Sequence, residues 1–173
     1  DCSRIGVMLS YTRGPDAPLL EKTISQALAE TAARFPDRDA LISRHQRARL
    51  SWRELAGEVE RTARGLVGLG LEPGDRVGIW ATNWVQWILL QLSTARAGLV
   101  LVNVNPAYRP RELAYALQRS EVQGLFAIPS FRGSDYVAML VELMPELKAD
   151  PSAEFKCKDF PALRRVILYD PAQ

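Results

Sequence analysis

Apolar positions at helical spacing open the readable pattern: Ile24, Leu28, Ala32 and Phe35 form one stripe. Thr23 and Gln26 stand where a capping box places its two reciprocal side chains, and Pro36-Asp37 stops the helix. Ala40-Leu41-Ile42 has strand length, and Arg49-Leu50 is its expected hairpin partner across a turn that holds His45. Ser51-Trp52-Arg53-Glu54 repeats the capping box. The helix it opens has one apolar face, Leu55, Val59, Ala63, Leu66 and Val67, and ends at Gly68, Gly70 and the Pro73-Gly74-Asp75 turn.

The pattern then changes. Val77-Gly78-Ile79-Trp80-Ala81 is apolar without alternation, as in a strand covered on both faces. Asn83 is the expected cap of a helix that is apolar almost all round from Trp84 to Leu92, and Gly98 ends it. Leu99 to Val102 reads as the next buried strand, and Asn105-Pro106 as a turn. Pro110 suits the first turn of a helix built on Leu113, Ala114 and Leu117. Val122 to Ile128 reads as a strand, Tyr136 to Met144 as a helix and Val166 to Tyr169 as a last strand. The mixed stretch from Pro145 to Pro161 is expected to be an exposed, mobile loop. Strands alternating with helices predict an α/β layered domain over residues 23–173, with a mainly parallel sheet flanked by helices. Residues 1–22, with Gly14, Pro15 and Pro18, are expected to form an extended lead-in.

Composition narrows the function classes. In 173 residues, 47% hydrophobic and 24% charged content are ordinary for a globular protein, and a net charge of +2 gives no reason to expect nucleic acid. Two cysteines, Cys2 and Cys157, and the lone His45 make neither a disulfide framework nor a metal cluster, so no metal ligand is assigned. Trp84 to Val104 is interrupted by Gln86, Gln91, Arg96 and Asn103, too often for a membrane span. Ile5 to Leu9 is too short for a signal peptide, and a soluble, cytoplasmic protein is expected.

Catalytic signatures are missing from the residues themselves. Gly65-Leu66-Val67-Gly68-Leu69-Gly70 precedes a strand, whereas a dinucleotide-binding loop follows one, so it reads as helix termination. None of the four lysines, Lys22, Lys148, Lys156 and Lys158, sits in a glycine-rich phosphate loop. With one histidine, in a turn, a serine or cysteine triad has no base, and no catalytic residue is assigned. Trp80, Trp84, Trp87 and Tyr108 read as core aromatics.

The order of short motifs is more specific than any one of them. Pro36-Asp37-Arg38-Asp39-Ala40-Leu41-Ile42, Leu50-Ser51-Trp52-Arg53-Glu54-Leu55 and Gly65 to Leu71 come first. Gly74-Asp75-Arg76-Val77-Gly78-Ile79, Asn83 to Trp87, Arg96-Ala97-Gly98, Val102 to Arg109 and Glu112-Leu113 follow. This series, from about Thr23 to Asp170, resembles the opening of the adenylate-forming acyl-CoA synthetases. The start, Ser10-Tyr11 through Pro18-Leu19-Leu20 into Thr23-Ile24, is most similar to the medium- and long-chain fatty acyl-CoA branch.

The resemblance implies an incomplete part of a large amino-terminal α/β domain. In the complete enzyme it implies ATP-dependent joining of a fatty acid or other carboxylate to CoA through an acyl-adenylate, with ATP, Mg2+ and CoA as cofactors. The family's phosphate loop, ribose-binding aspartate and catalytic lysine have no counterpart here, so this chain alone is expected to be inactive and to bind none of the three tightly. Exposed strand edges imply that it self-associates. Tyr108 and Arg109, after Asn105-Pro106 at a strand end, are candidates to border the acyl or CoA passage, beside the plainer reading of a helix-capping turn. Two alternatives stay open: a stand-alone, non-catalytic binding module on the same fold, and a ligase or adenylation domain for another carboxylate.

Overall fold

A computed structural model describes residues 14–148 and 155–170. From Gly14 to Thr23 there is no helix or strand, and Leu19 and Leu20 are exposed. The Ser10-Tyr11 start and Cys2 lie outside the described residues.

Among the described residues five α-helices, one 3-10 turn and eight strands follow, with β6 (Ser130–Phe131) and β7 (Ser134–Asp135) forming a short antiparallel hairpin. Helix α1 (Ile24–Arg34) and helix α2 (Trp52–Gly68) both open on complete capping boxes, Thr23 with Gln26 and Ser51 with Glu54. In the second box the Ser51 amide and hydroxyl hold the Glu54 carboxyl below its ordinary range. Between these helices, β1 (Asp39–Ser43) and β2 (Ala48–Ser51) form the expected antiparallel hairpin. The glycine run after α2 terminates it: Leu69 is the C-cap and Gly70 turns left-handed at φ 81°.

Four parallel strands make the central sheet, in the order β4 (Val100–Val104), β3 (Arg76–Trp80), β5 (Gly124–Ala127), β8 (Arg165–Leu168). The first strand in sequence, β3, is thus internal and takes its neighbours from both later directions. Val77, Ile79 and Trp80 have no exposed surface, which is why their run shows no polar alternation. Gly78 fits a close approach: a Cβ there would lie 3.1 Å from Leu125 Cδ1 and 3.3 Å from Val122 Cγ1.

Helix α3 (Val85–Ala97) carries the chain from β3 to β4, and α4 (Pro110–Ser120) carries it from β4 back past β3 to β5. Those crossovers run in opposite directions along the sheet, so right-handed connections put the two helices on opposite faces. Helices α1, α2 and α3 pack on one another, while α4 packs on α5 (Tyr136–Leu143). No described helix is long and apolar enough to cross a membrane.

Two expectations need correction. The helix after β3 is not capped by Asn83: Trp84 is the N-cap and offers no side-chain bond. The hairpin serves instead, because Gln46 Oε1 accepts the Val85 amide at 2.7 Å while its Nε2 donates to Gln86 Oε1 at 2.9 Å. The stretch from Pro145 to Pro161 is not simply an exposed loop either. Pro145–Lys148 is a turn of 3-10 helix, and Cys157 and Phe160 are buried in the core with Leu163 beyond them. Sequence periodicity misses such anchors because they are single residues between turns. Residues 149–154 of that stretch lie outside the described residues.

Candidate functional site at the carboxyl end of the sheet

Reversal of strand order between β3 and β5 leaves a crevice beyond their carboxyl ends, where α/β sheets collect ligands. The loops that leave the sheet there start at Ala81, Asn105 and Ile128. A third wall comes from the β1–β2 turn, which Gln46 fixes onto the first turn of α3.

A cleft of about 450 Å³ opens between these pieces, lined by His45, Ala81, Thr82, Asn83, Trp84, Trp87, Pro106 and Phe131. A second, of about 460 Å³, lies between the hairpin and α3 and shares His45, Asn83, Trp84 and Trp87. His45 meets Trp84 edge-on, with ring centroids 4.7 Å apart, and its Nδ1 lies 3.2 Å from the Ser43 hydroxyl. The Trp84 indole N–H is buried without a hydrogen-bond partner. The walls therefore combine three aromatic rings, Trp84, Trp87 and Phe131, with hydroxyl, amide and imidazole groups. Such a surface suits a flat or chain-like apolar group that carries a few polar atoms.

Behind Pro106 stands a rigid block. The rings of Trp80 and Tyr136 stack with centroids 3.6 Å apart and planes 6° from parallel, both without exposed surface. Trp80 Nε1 donates to Asn105 O at 3.1 Å, and the Tyr136 hydroxyl donates to Pro106 O. Burial pushes the Tyr136 hydroxyl up to about 12, so it stays a protonated donor at neutral pH.

A family model for AMP-binding enzymes matches residues 28–169. The chain belongs to the AMP-binding enzyme family. It is 43% identical over 164 residues to the mitochondrial medium-chain acyl-CoA ligase ACSF2 of Rattus norvegicus, covering 94% of this chain and 26% of that protein. The chain thus spans about a quarter of the length of the curated relatives it matches. The fold is shared with the N-terminal domain of FACL13 from Mycobacterium tuberculosis: TM-score 0.69, 22% identity, 87% of this chain and 35% of that one. The N-terminal subdomain of NpsA from Klebsiella oxytoca, solved with anthranilyl-AMSN, matches at TM-score 0.58 and 28% identity over 61% of this chain and 27% of that one.

Among the described residues of this family member, no three His, Cys, Asp or Glu side chains converge to hold a metal ion. Neither lysine nor arginine lines the cleft beside Pro106. The cleft beside Pro106 thus offers no cationic or carboxylate side chain to magnesium or a triphosphate, while Arg44 lines the adjoining cleft. Trp80 is core, as its sequence context suggests, whereas Trp84 and Trp87 are only partly buried and form cleft wall. Tyr108 is half-buried against the core, and its amide closes the turn on Asn105 O at 3.0 Å. Arg109 is exposed at the N-cap of α4, where its amide donates to Glu112 Oε2 and its guanidinium to Ser134 Oγ at 3.1 Å. Both sit on the turn that bears Pro106, two and three residues beyond it. Sequence reading missed His45 and Phe131 as cleft residues. Neither lies in a periodic segment: His45 is in the β1–β2 turn and Phe131 in the short β6–β7 hairpin, and only the fold brings them to one cleft.

Proposed function

We propose that the whole protein carrying these residues is an ATP-dependent acyl-CoA synthetase for medium- or long-chain fatty acids. Its 43% identity to a medium-chain acyl-CoA ligase over 94% of this chain carries the reading. A carboxylate oxygen attacks the α-phosphorus of ATP, forming acyl-AMP and releasing pyrophosphate; the CoA thiol then attacks the acyl carbon and releases AMP. Mg2+, when bound with ATP, would supply neutralisation of the phosphate charge. The triphosphate, the metal and the catalytic lysine fall to parts of the protein beyond this chain. This chain supplies a rigid α/β layer whose open carboxyl edge faces the reacting groups, and Tyr108 and Arg109 border the acyl or CoA passage there.

The full-length protein, given ATP, Mg2+, CoA and octanoate or palmitate, is expected to form the acyl-CoA and AMP, followed by mass spectrometry. Activity only with anthranilate or another aryl acid would move the assignment to the alternative that NpsA represents. In the same assay, Arg109→Ala should raise the KM for CoA; an unchanged value removes the CoA half of the Tyr108–Arg109 role.

Residues 1–173 expressed alone should show no ATP–pyrophosphate exchange with a fatty acid. They should also elute as dimers or larger species, because β4 and β8 present open edges on which Val100 and Leu168 are about half exposed. Exchange above background, or a monomer at all concentrations in size-exclusion chromatography, would count against these two expectations in turn.

A further inference from the structure

Tyr136 is the first residue of α5, and through it three strand ends are tied together. Its ring stacks on Trp80, the last residue of β3. Its hydroxyl donates to the carbonyl of Pro106, in the loop after β4, and its amide donates to the carbonyl of Pro129, in the loop after β5, at 2.9 Å. These loops bound the crevice where the strand order reverses.

The turn after β4 is held at its first two backbone acceptors, Asn105 O and Pro106 O. Asn105 O accepts from Trp80 Nε1 at 3.1 Å and from the Tyr108 amide at 3.0 Å, which occupies both lone pairs. Asn105 Oδ1 accepts the Ala107 amide at 2.9 Å, and Pro106 O accepts the Tyr136 hydroxyl. The proline ring fixes one further dihedral. Phenylalanine at 136 would fill the same space without desolvating a hydroxyl. The hydroxyl that tyrosine brings instead holds Pro106, which lines the cleft.

We propose that Trp80 and Tyr136 are positioning residues: as a stacked pair they clamp the Asn105–Arg109 turn so that a substrate entering over it meets a preformed wall. The inference rests on the ligase reading above and deepens it, by assigning the residues that set affinity for the carboxylate or CoA but not for ATP. The preformed turn spares the ordering that binding would otherwise require.

The test uses the full-length protein with Tyr136→Phe and Trp80→Phe. Each keeps a ring in the stack and removes one donor to the turn. KM values for fatty acid, CoA and ATP are measured separately, with kcat and thermal melting beside them. In both variants the KM for the fatty acid or for CoA should rise about three- to tenfold, the range expected for one lost side-chain hydrogen bond. KM for ATP should stay within twofold, and kcat should fall less than the affected KM rises. If all three KM values stay at the wild-type level in folded variants, the clamp does not position substrate. If every parameter worsens together with the melting temperature, or neither variant melts cooperatively, the pair is core packing and the inference is overturned. A wild-type protein that makes no acyl-CoA defeats the ligase reading itself, and the inference with it.

Discussion

Replacing Trp80 by alanine should lower unfolding free energy by about 4 kcal/mol, within the range for deleting a large buried aromatic. Trp80 has no exposed surface and sits at the end of β3, against the Tyr136 ring on one side. The truncation opens a cavity, strips Tyr136 of its stacking partner and removes one of two donors to Asn105 O. A globular domain of this kind has roughly 5–15 kcal/mol in total, so the variant would be marginal. Urea denaturation followed by circular dichroism should show the midpoint moving while the slope stays constant. Trp80→Phe, which keeps a ring, should lose less than half as much; equal losses would mean that the cavity is not the main cause of the destabilisation.

Gly98→Val is expected to be the next most damaging, at about 2–3 kcal/mol. Gly98 ends α3 in the left-handed region, φ 74° and ψ 20°, which a β-branched residue enters only with strain. Its carbonyl accepts the Gly74 amide at 2.8 Å, and a Cβ would sit 3.4 Å from Pro73 Cβ, so branching methyls meet the neighbouring turn. Two turns at the amino end of the sheet interlock there, and neither can move to relieve the other. Gly65→Ala is the control. That glycine lies inside α2 with no positive φ, and an added Cβ would meet nothing within 4 Å, so alanine should stabilise by roughly 0.5–1 kcal/mol. If Gly98→Val melted like the wild type, the strain argument would be wrong.

Much of this architecture was legible because it is local. The capping boxes at Thr23 and Ser51, Pro110 at the start of α4 and Gly98 at the end of α3 each declare themselves within a few residues. The continuous apolar run at β3 announced a strand covered on both faces, whereas the similar run at β4 misled, because β4 is an edge strand with Val100 about half exposed. Strand order was not legible, since β3, β4, β5 and β8 differ little in composition and the crossover that skips β3 leaves no mark in the sequence. Gln46 capping α3 from another element, and Phe160 and Leu163 anchoring a loop, escaped for the same reason: each depends on a partner far along the chain. The cleft is the extreme case. Its lining runs from His45 to Phe131, and no window of sequence contains it.

The sheet order also sets a timetable for synthesis. Strand β3 is made before either neighbour, and its bonds to β5 cannot form until Ala127 has emerged. At about 5–20 residues per second, several seconds separate the two. Until Val104 has been made both edges of the apolar strand Val77 to Trp80 are bare, and the edge that β5 takes stays bare for the rest of that interval. A nascent chain stalled between Val104 and Gly124 would present a sticky surface that the finished fold hides, and that is where a holding chaperone has most to do.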